Sequence, residues 1–369
     1  MSRDKKHILL SGGGTGGHIF PAIAIANALK RMLNDPEILF VGAKGRMEMQ
    51  KVPHAGYPIK GIWISGFQRK LSLKNLLFPL KVLVSLVAAG RIIKRFQPDV
   101  VIGTGGYASG PALKAAARRH IPTLIHEQNS YPGITNRLLA KQADCICVAH
   151  QGMDRYFPVK KIIFTGNPVR EDVVRITGKR EEAVSFFGLD ENKATLLIIG
   201  GSQGALSVNQ AMAAHLETFC NAGIQVIWQT GHPFFDRAGE LVNDRFSEHI
   251  HVHSFIERMD LAYAAADVVV SRAGAIAISE LCLVMKPAIL VPLPHAAEDH
   301  QTKNALKLVE NHAALMIRDE DLHRSFAETV MELIKNKEQQ QQLREEIGKM
   351  GSADAAFKIA QEAVRLMKR

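Results

Sequence analysis

Residues 6–18, Lys6-HILLSGGGTGG-His18, and their echo at 194–205, ATLLIIGGSQGA, decide how this chain folds. In each, a short apolar run meets glycines at once and a helical pattern follows. A continuous apolar run of that length is a strand buried on both faces, and the glycines turn it into a helix. Outward from the first segment, His7–Ser11, Ile38–Gly42, Val100–Gly103, Thr123–His126 and Cys145–Ala149 read as strands. Helix-like stretches Ile19–Leu33, Asn75–Phe96, Ala112–Arg119 and Asn136–Lys141 separate them. The pattern restarts with strands Thr195–Ile199, Gln225–Trp228, Ile250–His253, Asp267–Val270 and Ala288–Val291, and helices Ala205–Cys220, Ala275–Leu283 and Asp299–Glu310. Such βα repetition implies a parallel sheet covered on both faces, and its recurrence implies duplicated architecture. The expectation is an α/β protein of two Rossmann-like parallel-sheet domains facing across a cleft. A length of 369 residues agrees, since single cores stop growing near roughly 250–300. The turn formers Gly166, Asn167 and Pro168 put the boundary at 1–166 and 167–351, with a last amphipathic helix over 352–369.

A formal net charge of +10 points to an anionic partner without choosing among nucleotide, nucleic acid and anionic lipid. A nucleic-acid-binding module is disfavoured, because neither its motifs nor an aromatic-rich basic strip is present. Cys145, Cys147, Cys220 and Cys282 form no CxxC pair, which argues against a disulfide framework or zinc site. The charged residues before the first strand lead straight into it, too short for a secretory leader. No apolar run reaches the ~18 residues of a spanning helix. A cytoplasmic protein is expected.

Gly12–Gly17 satisfies GxGxxG, whose glycines let backbone amides approach an anion at a helix start. A dinucleotide site also wants an acid closing the second strand, and Val41-Gly42-Ala43 offers none, so no nicotinamide or flavin cofactor is expected. Gly200-Gly201-Ser202-Gln203-Gly204 reads as a second phosphate cradle. It also matches GxSxG, the nucleophile elbow of serine hydrolases, with Asp267 and His295, His300 or His312 as triad partners. That reading leaves the first glycine loop unexplained. Gly103-Thr104-Gly105-Gly106-Tyr107 is a third glycine turn at a strand end, where open α/β sheets place ligands.

Seven segments occur in a fixed order: GGGTGGHIFPA (12–22), GTGGYASGP (103–111), HEQN…PGITN (126–136), GNPVR (166–170), GGSQGA (200–205), SRAGAIAISE (271–280) and DHQTKNA (299–305). Together, over about residues 7–310, they resemble the GT-B glycosyltransferases that convert lipid I to lipid II in peptidoglycan synthesis. The resemblance implies a C-terminal helix that crosses back to the N-terminal domain. It implies UDP-N-acetylglucosamine as donor, held mainly by the C-terminal domain, and undecaprenyl-linked lipid I as acceptor, held by the N-terminal, membrane-binding domain. Localisation follows as peripheral, on the cytoplasmic face of the inner membrane.

Residue by residue, the resemblance assigns Ser202 and Arg170 to the donor diphosphate and the backbone at Ile256 to the uracil edge. Ala275, Ile276, Ala277, Ile278, Ser279 and Glu280 open a helix at the nucleotide, with the Glu280 carboxylate on the ribose hydroxyls. Gln301 and Asn129 contact the sugar; Thr15, Gly16 and Gly17 line the opposite side; Tyr107 and Asn136 touch the acceptor. Where some relatives carry two glutamines, this chain has His300-Gln301.

Inversion at the anomeric carbon needs a base for the acceptor hydroxyl and aligned donors for the departing diphosphate. His18 is the first candidate base, with His126 and Glu127 to polarise it or to position the acceptor. Helix starts and Arg170 would serve the leaving group without a metal. The DxD-like Asp319-Glu320-Asp321 reads as a solvated helix start, and His249, His251 and His253 as a partly solvated strand face. Leu76, Leu77, Phe78, Leu80, Val82, Leu83, Val84, Leu86 and Val87, with Lys70, Lys74, Lys81, Arg91, Lys94 and Arg95 around them, read either as core or as an interfacial patch for anionic lipid.

Overall fold

The computed structural model describes residues 5–66, 78–201, 204–294, 296 and 299–368. The chain divides into two compact units, Met1–Arg170 with Ser352–Arg369, and Glu171–Gly351. The division falls after Arg170 rather than Gly166. The Asn167 amide donates to Gln128 O at 3.2 Å, which ties this segment to the first unit.

Unit 1 is a parallel sheet of β1 (His7–Ser11), β2 (Glu37–Ala43), β3 (Ile59–Ile62), β4 (Val100–Gly103), β5 (Thr123–Glu127), β6 (Cys145–Val148) and β7 (Ile162–Phe164), in the order β3-β2-β1-β4-β5-β6-β7. Its helices are α1 (Gly16–Met32), α2 (Glu48–His54), α3 (Phe78–Phe96), α4 (Ser109–Ala117) and α5 (Ile134–Leu139). Successive strand residues serve opposite faces. Ile8, Leu10, Val100 and Ile102 pack under α1, while Leu9, Val101 and Ile125 pack with Ala89 and Ile93 of α3, Ala112 of α4 and Leu139 of α5. This two-sided burial makes the strands continuously apolar in sequence.

Unit 2 repeats the scheme. Its strands β8 (Thr195–Ile199), β9 (Gln225–Gln229), β10 (Ile250–His253), β11 (Val268–Arg272), β12 (Ala288–Val291) and β13 (Leu315–Met316) lie in the order β10-β9-β8-β11-β12-β13, all parallel. Helices α6 (Arg180–Phe187), α7 (Leu206–Ala213), α8 (Leu216–Asn221), α9 (His232–Phe246), α10 (Met259–Ala265), α11 (Ala275–Val284), α12 (His300–Glu310), α13 (Leu322–Lys335) and α14 (Lys337–Lys349) cover it. The single helix expected over Ala205–Cys220 is broken at Ala214-His215, and Phe219 of α8 turns edge-on to Phe326 of α13 at 6.0 Å. The edge strands β3, β7 and β13 escape a sequence reading because they span only two to four residues.

The last helix, α15 (Ala355–Leu366), returns to unit 1, where Ile359, Ala360, Ala363 and Leu366 join the α1 core. In both sheets the strand order reverses beside the first strand, between β1 and β4 and between β8 and β11. Chain connections diverge there and leave a crevice at the strands' carboxyl ends.

Candidate active site

In unit 1 the crevice is walled by the first glycine loop, the 103–107 turn and the end of β5. These loops approach closely: Gly106 has φ +80°, and a Cβ on it would lie 2.1 Å from Gly13 O. His18, in the first turn of α1, is partly exposed. Its Nδ1 lies 2.9 Å from Thr104 O, and the Thr104 hydroxyl donates to His18 O at 2.7 Å. A carbonyl can only accept, so Nδ1 carries the hydrogen and Nε2 the lone pair. Burial pushes the His18 pKa below its ordinary value against the pull of Glu127, so the ring is neutral at neutral pH.

His126 is fully buried. Its Nε2 donates to Gly166 O at 3.1 Å, and its Nδ1 accepts from the Gln128 amide, also at 3.1 Å. Burial pushes its pKa down to about 4, and both ring nitrogens are committed to protein partners. The Gln128 amide also donates to Thr104 O at 2.6 Å, so Gln128 links His126 to the carbonyl that orients His18. Glu127 is equally enclosed, and four donors saturate it. Oε1 accepts from Asn129 N and Nδ2 at 3.0 and 3.2 Å, and Oε2 from Gly133 N at 3.0 Å and Asn136 Nδ2 at 2.8 Å. Asn136 is buried and Asn129 partly exposed. Tyr107 is half exposed and covers Gly66. The Arg170 guanidinium stacks 4.9 Å from the Phe20 ring of α1, near Thr15, Gly16 and Gly17 at the helix start.

Unit 2 gathers its candidates in the same topological place. Ser202 and Gln203 lie outside the described residues. Gly204, φ +75°, packs closely: a Cβ on it would meet Thr230 O at 2.2 Å. Residues Ala275–Glu280 form the first turns of α11, and Ser279 Oγ donates back to Ala275 O at 2.8 Å. The Glu280 carboxylate accepts from the buried Tyr263 hydroxyl at 3.0 Å. The amide of Ile256 donates to Gln229 Oε1 at 3.2 Å, so that N–H is engaged within the protein. Gln301 Oε1 accepts from Leu293 N at 2.9 Å.

Asp319 corrects one expectation. It is not a solvated helix-start residue: its carboxylate receives Arg272 Nη1 at 2.5 Å and Ser207 Oγ at 2.6 Å, and its side chain is only 20% exposed. This buried pair clamps the end of β11 to the start of α7. Asp267 disposes of the hydrolase reading. It precedes β11 at the amino end and accepts from Thr195 N at 2.8 Å, on the edge opposite the Gly200–Gly204 loop. His295, another possible triad member, lies outside the described residues. His251 and His253 are half-buried on edge strand β10, with pKa values lowered by burial. Among the described residues no group of His, Cys, Asp and Glu could hold a metal ion. Glu48, Gln128, Tyr263 and Arg272 carry no role of their own in the sequence reading. Gln128 and Arg272 fall inside the HEQN and SRAGA segments, which was the available signal; Glu48 carries none.

Two family models match the chain: the glycosyltransferase family 28 N-terminal domain over residues 8–148, and the glycosyltransferase family 28 C-terminal domain over residues 195–359. The UDP-N-acetylglucosamine--N-acetylmuramyl-(pentapeptide) pyrophosphoryl-undecaprenol N-acetylglucosamine transferase of Flavobacterium psychrophilum is 50% identical over 359 residues, 97% of each chain. The protein of the same name from Cytophaga hutchinsonii is 52% identical over 98% of this chain and 96% of its own. Among solved structures, MurG of Acinetobacter baumannii superposes with a TM-score of 0.76 at 28% identity, covering 98% of this chain and 99% of that one. A UDP-N-acetylglucosamine 2-epimerase, at 15% identity and a TM-score of 0.66, shares the fold alone. With both domain models matched in order and half of all residues identical to full-length relatives, this chain belongs to glycosyltransferase family 28.

Proposed function

We propose that the protein transfers N-acetylglucosamine from UDP-N-acetylglucosamine to the muramoyl 4-hydroxyl of undecaprenyl-linked lipid I, giving lipid II, with inversion at the anomeric carbon. The observation that carries this reading is near-full-length identity of about half to relatives whose names state that transfer. The donor belongs to unit 2, where the Glu280 carboxylate on α11 meets the ribose hydroxyls and the helix start meets the diphosphate. By resemblance, Arg170 and Ser202 are assigned to the leaving diphosphate. The assignment of Gln301 and of Asn129 to the sugar comes from the resemblance.

His18 is the general base. Its support is the Thr104 carbonyl, which holds the proton on Nδ1 and leaves Nε2 to accept the acceptor's hydroxyl proton. His126 and Glu127 position rather than react, because their polar atoms are consumed by Gly166, Gln128, Asn129, Gly133 and Asn136. Tyr107 and Asn136 border the acceptor.

The enzyme works as a peripheral protein on the cytoplasmic membrane face, bound to anionic lipid through α3. Among the described residues no helix is long and apolar enough to cross a membrane. Leu80, Leu83, Val84 and Val87 are exposed, whereas the inward positions are the small Ser85, Ala89 and Gly90 with Ile93. Leu76, Leu77, Lys70 and Lys74 fall outside the described residues. The deciding experiment measures UDP release with and without lipid I. Release that requires lipid I and yields a β-linked disaccharide is expected; release without acceptor would instead favour epimerase or hydrolase chemistry.

A further inference from the structure

The first glycine loop has the spacing of a dinucleotide site without an acid at the end of β2. The fold supplies an acid from the next element and turns it inward. Glu48, at the start of α2, is fully buried. Its Oε2 accepts the Gly14 N–H at 3.1 Å and its Oε1 the Ala43 N–H at 2.9 Å. Glycine is needed around it: a Cβ on Gly13 would lie 2.2 Å from Oε1, and one on Gly42 2.6 Å from Cγ. An acid that reads a ribose must face the crevice. This carboxylate is instead committed to the protein's own amides, which offset the cost of burying its charge.

Among the described residues, no carboxylate bonds the duplicate loop in unit 2. There Asn209 donates to Thr230 O at 2.8 Å, and Gly204 packs against that same carbonyl. The buried acid therefore distinguishes the loop that precedes His18. The charged and titratable groups facing His18 are Glu127 and His126 on β5 and Glu48 on α2. His126 is uncharged near neutrality, so the field at His18 comes from the two carboxylates.

We propose that Glu48 is a positioning residue for the transfer: it ties Gly14 to the end of β2, fixes the entry of α1 so that His18 meets the acceptor hydroxyl, and sets a fixed negative charge beside that ring. This rests on His18 being the base. Burial lowers the His18 pKa; Glu127, then the hydrogen bonds to Thr104 and Gln128, and last the Glu48 charge oppose that shift. Removing the Glu48 charge therefore makes the ring release its proton at lower pH.

The test is the pH profile of kcat, with UDP-N-acetylglucosamine and lipid I in detergent, for wild type, Glu48→Gln, Glu48→Asp and His18→Gln. Glu48→Gln keeps one acceptor oxygen but loses the charge; it lowers kcat about tenfold, as misplaced reacting groups do. It also moves the acid limb to lower pH, with KM for the donor unchanged. Glu48→Asp keeps the charge on a shorter arm; it lowers kcat and leaves the limb where it is. A Glu48→Gln enzyme with wild-type kcat and limb overturns the proposal. If Glu48→Gln does not fold, a fully active Glu48→Asp overturns it alone, since the shorter arm cannot hold both amides. An acid limb that survives in His18→Gln defeats the base assignment instead; one lost there but unmoved in Glu48→Gln defeats only the role of Glu48.

Discussion

At the residue scale, carboxylates and imidazoles of one type do different work because their surroundings differ. Glu127 and Glu48 are sealed and bonded to amides, whereas Glu280 is partly exposed and accepts from the Tyr263 hydroxyl. Truncating Glu280 to Ala removes a charged hydrogen-bonding group, worth about 1.5–3 kcal/mol, from the ribose. Calorimetric titration should then give roughly 10- to 100-fold weaker UDP-N-acetylglucosamine binding; unchanged affinity would remove Glu280 from the donor site. His126 carries a second expectation. Its folded pKa of about 4 lies below the ordinary 6.5, so between these values the unfolded chain binds a proton that the native ring refuses. Stability is therefore intact above pH 6.5 and falls as the pH drops towards 4, by up to about 3 kcal/mol. Urea midpoints measured across this window should drop in wild type and flatten in His126→Gln; parallel curves would mean that another group drives the loss.

At the element scale, α3 is apolar on more than its packed face. Ile93 is buried and Val82, Ile92 and Phe96 pack against the core, yet Leu83 is 61% and Leu80 48% exposed, and Arg91, Lys94 and Arg95 are exposed near its end. Contiguous exposed aliphatics flanked by cations suit a headgroup boundary. Replacing Leu80 and Leu83 by Ser should weaken co-sedimentation with anionic vesicles roughly tenfold or more, given about 1.5–3 kcal/mol per buried leucine. Activity on a water-soluble acceptor should persist. Equal sedimentation of the variant would return this face to solvent.

At the scale of the whole molecule, two duplicated units differ by small local features. One glycine loop is backed by the buried Glu48 and precedes a histidine; in the other, Gly204 packs on the Thr230 carbonyl. A ligand that binds only the native state stabilises by about 2.7 kcal/mol at one hundred times its Kd. Hydrogen exchange with saturating UDP should show that protection concentrated in residues 171–351, foremost around α11 and the 200–204 loop. Protection confined to residues 5–66 would assign the nucleotide to the other unit.

The strand runs, both glycine loops and the seven ordered segments were legible without coordinates, because apolar period, turn chemistry and short motifs are local properties of a chain. They were enough for the α/β class and the duplication. Periodicity could not show that Glu48 reaches Gly14 across 34 positions, that Gly106 presses on Gly13, or that Asp319 closes on Arg272. Nor could it show which face of α3 looks outward. Those contacts join residues distant in sequence. Strand order and parallel register bring them together, and the absence of a Cβ or the depth of burial then determines which polar atoms can still meet a ligand.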